Sequence, residues 1–170
     1  MEPGRPRRRA TRRQKELRSS SDPGPGAYDV GLRLLAIRPH STAELRRKLA
    51  RRGLAADDVQ AALARLRERG YLDDAAYARA LVRRRAESRG ARAIGAELFA
   101  KGIGREVAGV ALAGLDREAE LEAAERLVRR FGRGLAGNEL LQSVGPKLLR
   151  RGFAPHLVRE ACRRATASQP

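Results

Sequence analysis

RGARAIGAELFAKGI, residues 89–103, has a near copy 49 residues earlier, STAELRRKLARRGL at 41–54. Each stretch carries an apolar-x-x-x-apolar pair, three residues, a glycine, then an aliphatic side chain. In the first copy these are Leu45, Leu49, Gly53 and Leu54, followed by Val59, Leu63 and Leu66. The second reads Ile94, Leu98, Gly102, Ile103, Ala108, Leu112 and Leu115. A third follows at Val144, Leu148, Gly152, Phe153, Val158, Cys162 and Ala165. Every position stays apolar or glycine in all three copies. A fixed period near 50 residues marks an internal repeat, one supersecondary unit used three times.

The spacing inside each copy is helix, glycine turn, helix. Ser41 and Glu44 fit a capping box, in which each side chain satisfies the other's backbone N–H. Gly53, Gly70, Gly102 and Gly152 sit where helices should stop, because glycine alone enters the left-handed region without penalty. Asp73 and Asp74 suit a helix start, and Pro155 suits a first helical turn. A further amphipathic helix precedes each pair, around Leu32 to Ile37, Tyr77 to Ser88 and Leu121 to Phe131. Alternating β-branched runs and hairpin signatures are absent. The expected fold is therefore all-α: three tandem three-helix repeats forming an elongated curved array. The units are placed at 27–72, 73–116 and 117–166, with a short C-terminal tail at 167–170. Pro146 breaks the pattern, so the middle helix of the third unit is expected to begin or kink there.

Residues 1–26 stand apart. They hold eight basic and three acidic residues, with Leu17 the one large aliphatic side chain after Met1. Such a segment cannot bury enough surface to offset its ordering entropy, so a disordered basic N-terminal tail is expected.

The chain carries 37 Lys and Arg against 20 Asp and Glu, a net charge of +17. That balance favours an anionic partner, although an arginine-rich, alanine-rich composition would raise the charge by itself. The single cysteine, Cys162, excludes an internal disulfide and fits a reducing cytoplasm. Because it falls where Leu63 and Leu112 sit, it reads as a core thiol. No run of about 18 apolar residues is present, so no membrane span is expected. No metal-ligand spacing, P-loop or G-x-S-x-G nucleophile motif occurs. His40 and His156 each lie at a helix start, where capping and solvent exposure explain them. Neither an enzyme nor a cofactor is expected.

Basic side chains cluster instead. The slot before the turn glycine is basic three times, at Arg52, Lys101 and Arg151. A cation there offsets the helix dipole, and a binding function can reuse it. The candidate partner-binding residues are Arg51, Arg52, Arg83, Arg85, Arg92, Lys101, Arg150 and Arg151.

GYLDDAAYARALVRRRAESRGARAIGAELFAKGI, residues 70–103, resembles the RecX family of bacterial recombinase regulators. It matches the family's G-[YF]-[LI]-[DN]-D start, [YF]-A, a basic helix, a glycine and I-x-x-E-L-x-x-K-G-I. RPHSTAELRRKLARRG upstream, and RRFG and RRGF downstream, are similar to the flanking units; VGP at 144–146 departs from the pattern. The resemblance covers about residues 28–165. It implies a protein that binds RecA and its filament on single-stranded DNA and suppresses strand exchange, ATP hydrolysis and co-protease activity. Contact with single- or double-stranded DNA is a further expectation. Arg83, Arg85, Arg92 and Lys101 lie in the best-matched unit and are the first choices for contact. A monomer is expected, since no apolar face is left over once the repeats pack. The alternative readings are a winged-helix module over residues 41–72, which requires two strands to follow, and a nucleic-acid-binding protein that works through charge alone.

Overall fold

The computed structural model describes residues 26–167, so the expectations for the N-terminal tail lie outside the described residues apart from Gly26, as does the C-terminal tail apart from Ala167, which ends the last helix. Among the described residues every regular element is an α-helix. The first unit holds α1 (Ala27–Ile37), α2 (Thr42–Ala50) and α3 (Ala56–Glu68). The second holds α4 (Asp74–Ala86), α5 (Ala91–Ala100) and α6 (Arg105–Ala113). The third holds α7 (Arg117–Phe131), α8 (Gly137–Arg150) and α9 (Pro155–Ala167). Within each unit all three helices pack on one another. Where a wing would follow α3, α4 begins instead.

Local chemistry sets the boundaries. Asp73 caps α4 by accepting the Ala75 and Ala76 N–H groups at 2.8 and 2.9 Å, and Asp116 accepts the Ala119 N–H at 3.1 Å to open α7. Gly53, Gly102 and Gly152 end the middle helices at φ +76°, +79° and +86°. Pro146 lies inside α8, which runs on to Arg150, so the helix does not begin there.

Each unit has its own hydrophobic cluster. Leu45, Leu49, Leu63 and Leu66 build the first, Leu81, Ile94, Leu98 and Ile103 the second, and Leu140, Val144, Leu148 and Phe153 the third. Full burial of one such side chain is worth about 1.5–3 kcal/mol, so each unit is stabilised by its own core. Cys162 belongs to the third cluster, where burial pushes its thiol pKa up.

The joints between units are polar, and the same joint is made twice. The starts of the middle helices of the first and second units dock on the glycine turn of the unit that follows. At the first joint Ser41 Oγ donates to the Lys101 carbonyl at 2.5 Å, and the Thr42 N–H donates to Asp74 Oδ1 at 2.8 Å. At the second the Gly90 N–H donates to the Arg151 carbonyl at 3.0 Å, and the Ala91 N–H to Glu120 Oε1 at 2.8 Å. Ser41 and Gly90 are equivalent, as are Lys101 and Arg151. A carboxylate from the first turn of the following unit thus satisfies an orphan N–H at each middle-helix start. The approach is close. A Cβ on Gly102 would overlap Ala43, and one on Gly152 would overlap the Ala93 backbone.

Candidate partner-binding surface

The structure sorts the eight candidate cations by what they already hold. Arg85 donates to Glu97 through Nε (3.0 Å) and Nη2 (2.8 Å), a fork that ties α4 to α5. These bonds raise the Arg85 pKa and lower that of Glu97. Lys101 Nζ donates to Glu44 Oε1 at 2.9 Å across the first joint. The Arg151 guanidinium lies 4.8 Å from the centre of the Phe131 ring while its carbonyl serves the second joint. Arg51, Arg52, Arg83, Arg92 and Arg150 are exposed, and no carboxylate among the described residues pairs with them. Two of the first choices, Arg83 and Arg92, are therefore open to a partner, whereas Arg85 and Lys101 hold the fold together.

Glu44 is the centre of a network that the capping-box pattern only half describes. Its N–H does donate to Ser41 Oγ, at 3.1 Å. Its carboxylate goes across the joint, accepting from Lys101 and from the Tyr77 hydroxyl (3.2 Å), with Arg38 Nη2 3.5 Å away. Charge wins over the local cap because the partner cation is next to a buried carboxylate. Burial opposes the ionised form, yet hydrogen bonds from Lys101 and Arg38 prevail and lower the Glu44 pKa to about 2. Burial and the negative charge of Glu44 together raise the Tyr77 pKa.

His40 corrects the expectation of a solvent-exposed cap. It is 3% exposed, its Nδ1 sits 2.8 Å from the Arg38 carbonyl, and its Nε2 is buried without a hydrogen-bond partner among the described residues. Burial lowers its pKa, working against that hydrogen bond. His156 is exposed.

A second repeated slot was not apparent from the sequence. Phe99 and Leu149 occupy equivalent positions in the last turns of α5 and α8, two residues before Lys101 and Arg151. They are 52% and 45% exposed. The 3.6-residue period places them off the core stripe, so an apolar side chain there was the available signal. Each middle helix of the second and third units thus ends in an exposed apolar residue beside cations.

Among the described residues no three His, Cys, Asp or Glu side chains gather as a metal site requires, and no helix is long and apolar enough to cross a membrane.

Comparison with known proteins gives these features a context. The family descriptions "RecX, first three-helix domain" and "RecX, second three-helix domain" match residues 27–66 and 73–112. Regulatory protein RecX of Xanthomonas axonopodis pv. citri is 40% identical over 134 residues, 78% of this chain and 83% of that one. Regulatory protein RecX of Thermus thermophilus is 44% identical over 108 residues, 64% of this chain and 72% of that one. The crystal structure of RecX from Lactobacillus salivarius matches the fold with a TM-score of 0.75 at 19% identity, covering 82% of this chain and 94% of that one. A further crystal structure of a regulatory protein RecX matches with a TM-score of 0.69 at 25% identity, covering 79% and 70%.

Proposed function

The chain belongs to the RecX family, and on that premise we propose that it binds RecA and its filament on single-stranded DNA and holds recombinase, ATPase and co-protease activity down. The protein acts by binding, in the cytoplasm, without a reaction of its own. The observation that supports this reading best is the distribution of unpaired cations. Arg51, Arg52, Arg83, Arg92 and Arg150 are exposed and spread over all three units. The joints link those units in series, so the exposed cations extend along the array. A filament is itself a repeating polymer whose anionic groups recur, and a repeating basic ligand suits it. Phe99 and Leu149 add apolar contact area at equivalent points, which charge alone would not need.

The test is RecA's single-stranded-DNA-dependent ATP hydrolysis, measured as this protein is titrated and repeated with DNA in large excess. Inhibition well below one molecule per RecA that survives added DNA supports action on the filament. Loss of inhibition when DNA is added supports the second reading, sequestration of DNA by a basic chain. The net charge of +17 favours that second reading, which also demands binding that collapses as salt rises.

A further inference from the structure

Among the described residues, the joint made twice leaves one unfilled half at each end. At the head, no described unit precedes the first one to seat on its turn. Gly53 adopts the same left-handed conformation as Gly102 and Gly152, yet no described residue lies within 4 Å of where its Cβ would stand. The next residue shows the same contrast. Ile103 and Phe153 are buried, whereas the equivalent Leu54 is only half-buried. Leu54 and Asp29 line an open cleft of about 540 Å³. Asp29 is the acid in the first turn of α1, the role that Asp74 and Glu120 play in α4 and α7.

At the tail, no described turn follows for the middle helix of the third unit to dock on. The start of α8 has no side-chain cap, and Gly137 and Asn138 line a second cleft of about 550 Å³. Glu139 is exposed and is the third residue of α8, as Glu44 is the third residue of α2. α8 starts eleven residues before Leu148, whereas α2 starts seven before Leu49. The extra four residues are one turn, which keeps Glu139 close to the face that Ser143, the register equivalent of Glu44, presents.

From these complementary ends we propose that the chain associates head to tail with further copies of itself. The start of α8 in one copy seats on the Arg52–Gly53 turn of the next. Asp29 accepts the Gly137 N–H, and Arg52 pairs with Glu139 as Lys101 pairs with Glu44. The contact is heterologous, so it continues from copy to copy and does not close into a pair. It needs no apolar face, because the joints inside the chain are polar too; the expectation of a monomer rested on the lack of such a face. The net charge of +17 opposes the approach, so association is weak and requires crowding or screening. The inference stands whether or not the chain acts on RecA.

Sedimentation velocity on the full chain tests it at physiological ionic strength, where the screening length is about 8 Å. The weight-average sedimentation coefficient is expected to climb with concentration without reaching a plateau. Arg52→Glu and Glu139→Arg, both at exposed positions, each abolish the climb, and mixing the two variants restores it because the charges are exchanged. A full chain that stays single at every concentration overturns the proposal, as it would if the chain's own N-terminal residues fill the head. A plateau at a dimer, a climb indifferent to both substitutions, or a mixture that fails to recover overturns it as well.

Discussion

Lys101 and Glu44 form an ion pair of 2.9 Å that joins the glycine turn of the second unit to the second helix of the first. The pair bridges a joint that also holds the Ser41 and Asp74 hydrogen bonds, with Arg38 3.5 Å from the same carboxylate. Glu44→Gln is expected to cost about 1–3 kcal/mol, because it removes charge from bonds donated by Lys101 and Arg38. The folded-state pKa of about 2 lies below the ordinary 4.5. The stabilisation is therefore complete above about pH 4.5 and is lost as pH falls toward 2. Urea unfolding across that window should show the loss in the parent chain and a flatter profile in the variant.

His40 acts in a different window. Its pKa is depressed below 6.5, chiefly by burial, with Arg38 and Lys48 also opposing the charge and the Arg38 carbonyl and Glu44 favouring it. Above pH 6.5 the ring is neutral in both folded and unfolded chains and contributes no pH dependence. Below it the unfolded chain takes up the proton first, so stability falls as pH drops. The melting temperature should decline between pH 7 and pH 5. His40→Phe should remove that part of the decline, whatever it does to stability at pH 7.

The three turn glycines share a backbone conformation and differ in surroundings. Gly53→Ala should cost only the left-handed strain, about 1–2 kcal/mol. Gly152→Ala meets the same strain and also drives a methyl into the Ala93 backbone, adding about 1–3 kcal/mol of overpacking. Thermal unfolding should rank the parent above Gly53→Ala and Gly53→Ala above Gly152→Ala. Equal losses would show that the second joint yields without cost.

Why the repeat was legible and the joints were not follows from the kinds of residue involved. Leu45, Leu49 and their equivalents recur because each unit must cover its own core, and a helical period exposes that need directly. Gly102 and Gly152 were readable as helix ends, but their second duty, close approach to Ala43 and Ala93, depends on residues about 60 positions away in sequence. Glu44 fitted a local capping box, and only the fold brings Lys101 to it. His40 looked exposed because nothing in the sequence shows the joint that buries it. Pro146 looked like a boundary or a kink because proline lacks a helical donor; α8 does not begin there but passes through it. The cations carried no local mark to separate Arg85, bound to Glu97, from Arg83 two residues away.

That separation gives a prediction about binding. Arg83 and Arg92 are exposed and unpaired among the described residues, whereas Arg85 and Lys101 hold intramolecular partners. Arg83→Glu with Arg92→Glu should leave the melting temperature nearly unchanged, since surface substitutions of this kind move stability little. It should raise the concentration needed for half-inhibition of RecA's ATP hydrolysis by about tenfold, equivalent to about 1.4 kcal/mol. Arg85→Ala should do the reverse, lowering the melting temperature by leaving Glu97 with Arg89 at 3.5 Å in place of the fork, and altering inhibition only as far as folding suffers. Measuring both readouts on both variants separates a surface used for a partner from one used for the fold. If reversal at Arg83 and Arg92 leaves inhibition intact, the contact surface lies elsewhere, and the exposed Phe99 and Leu149 become the next positions to alter.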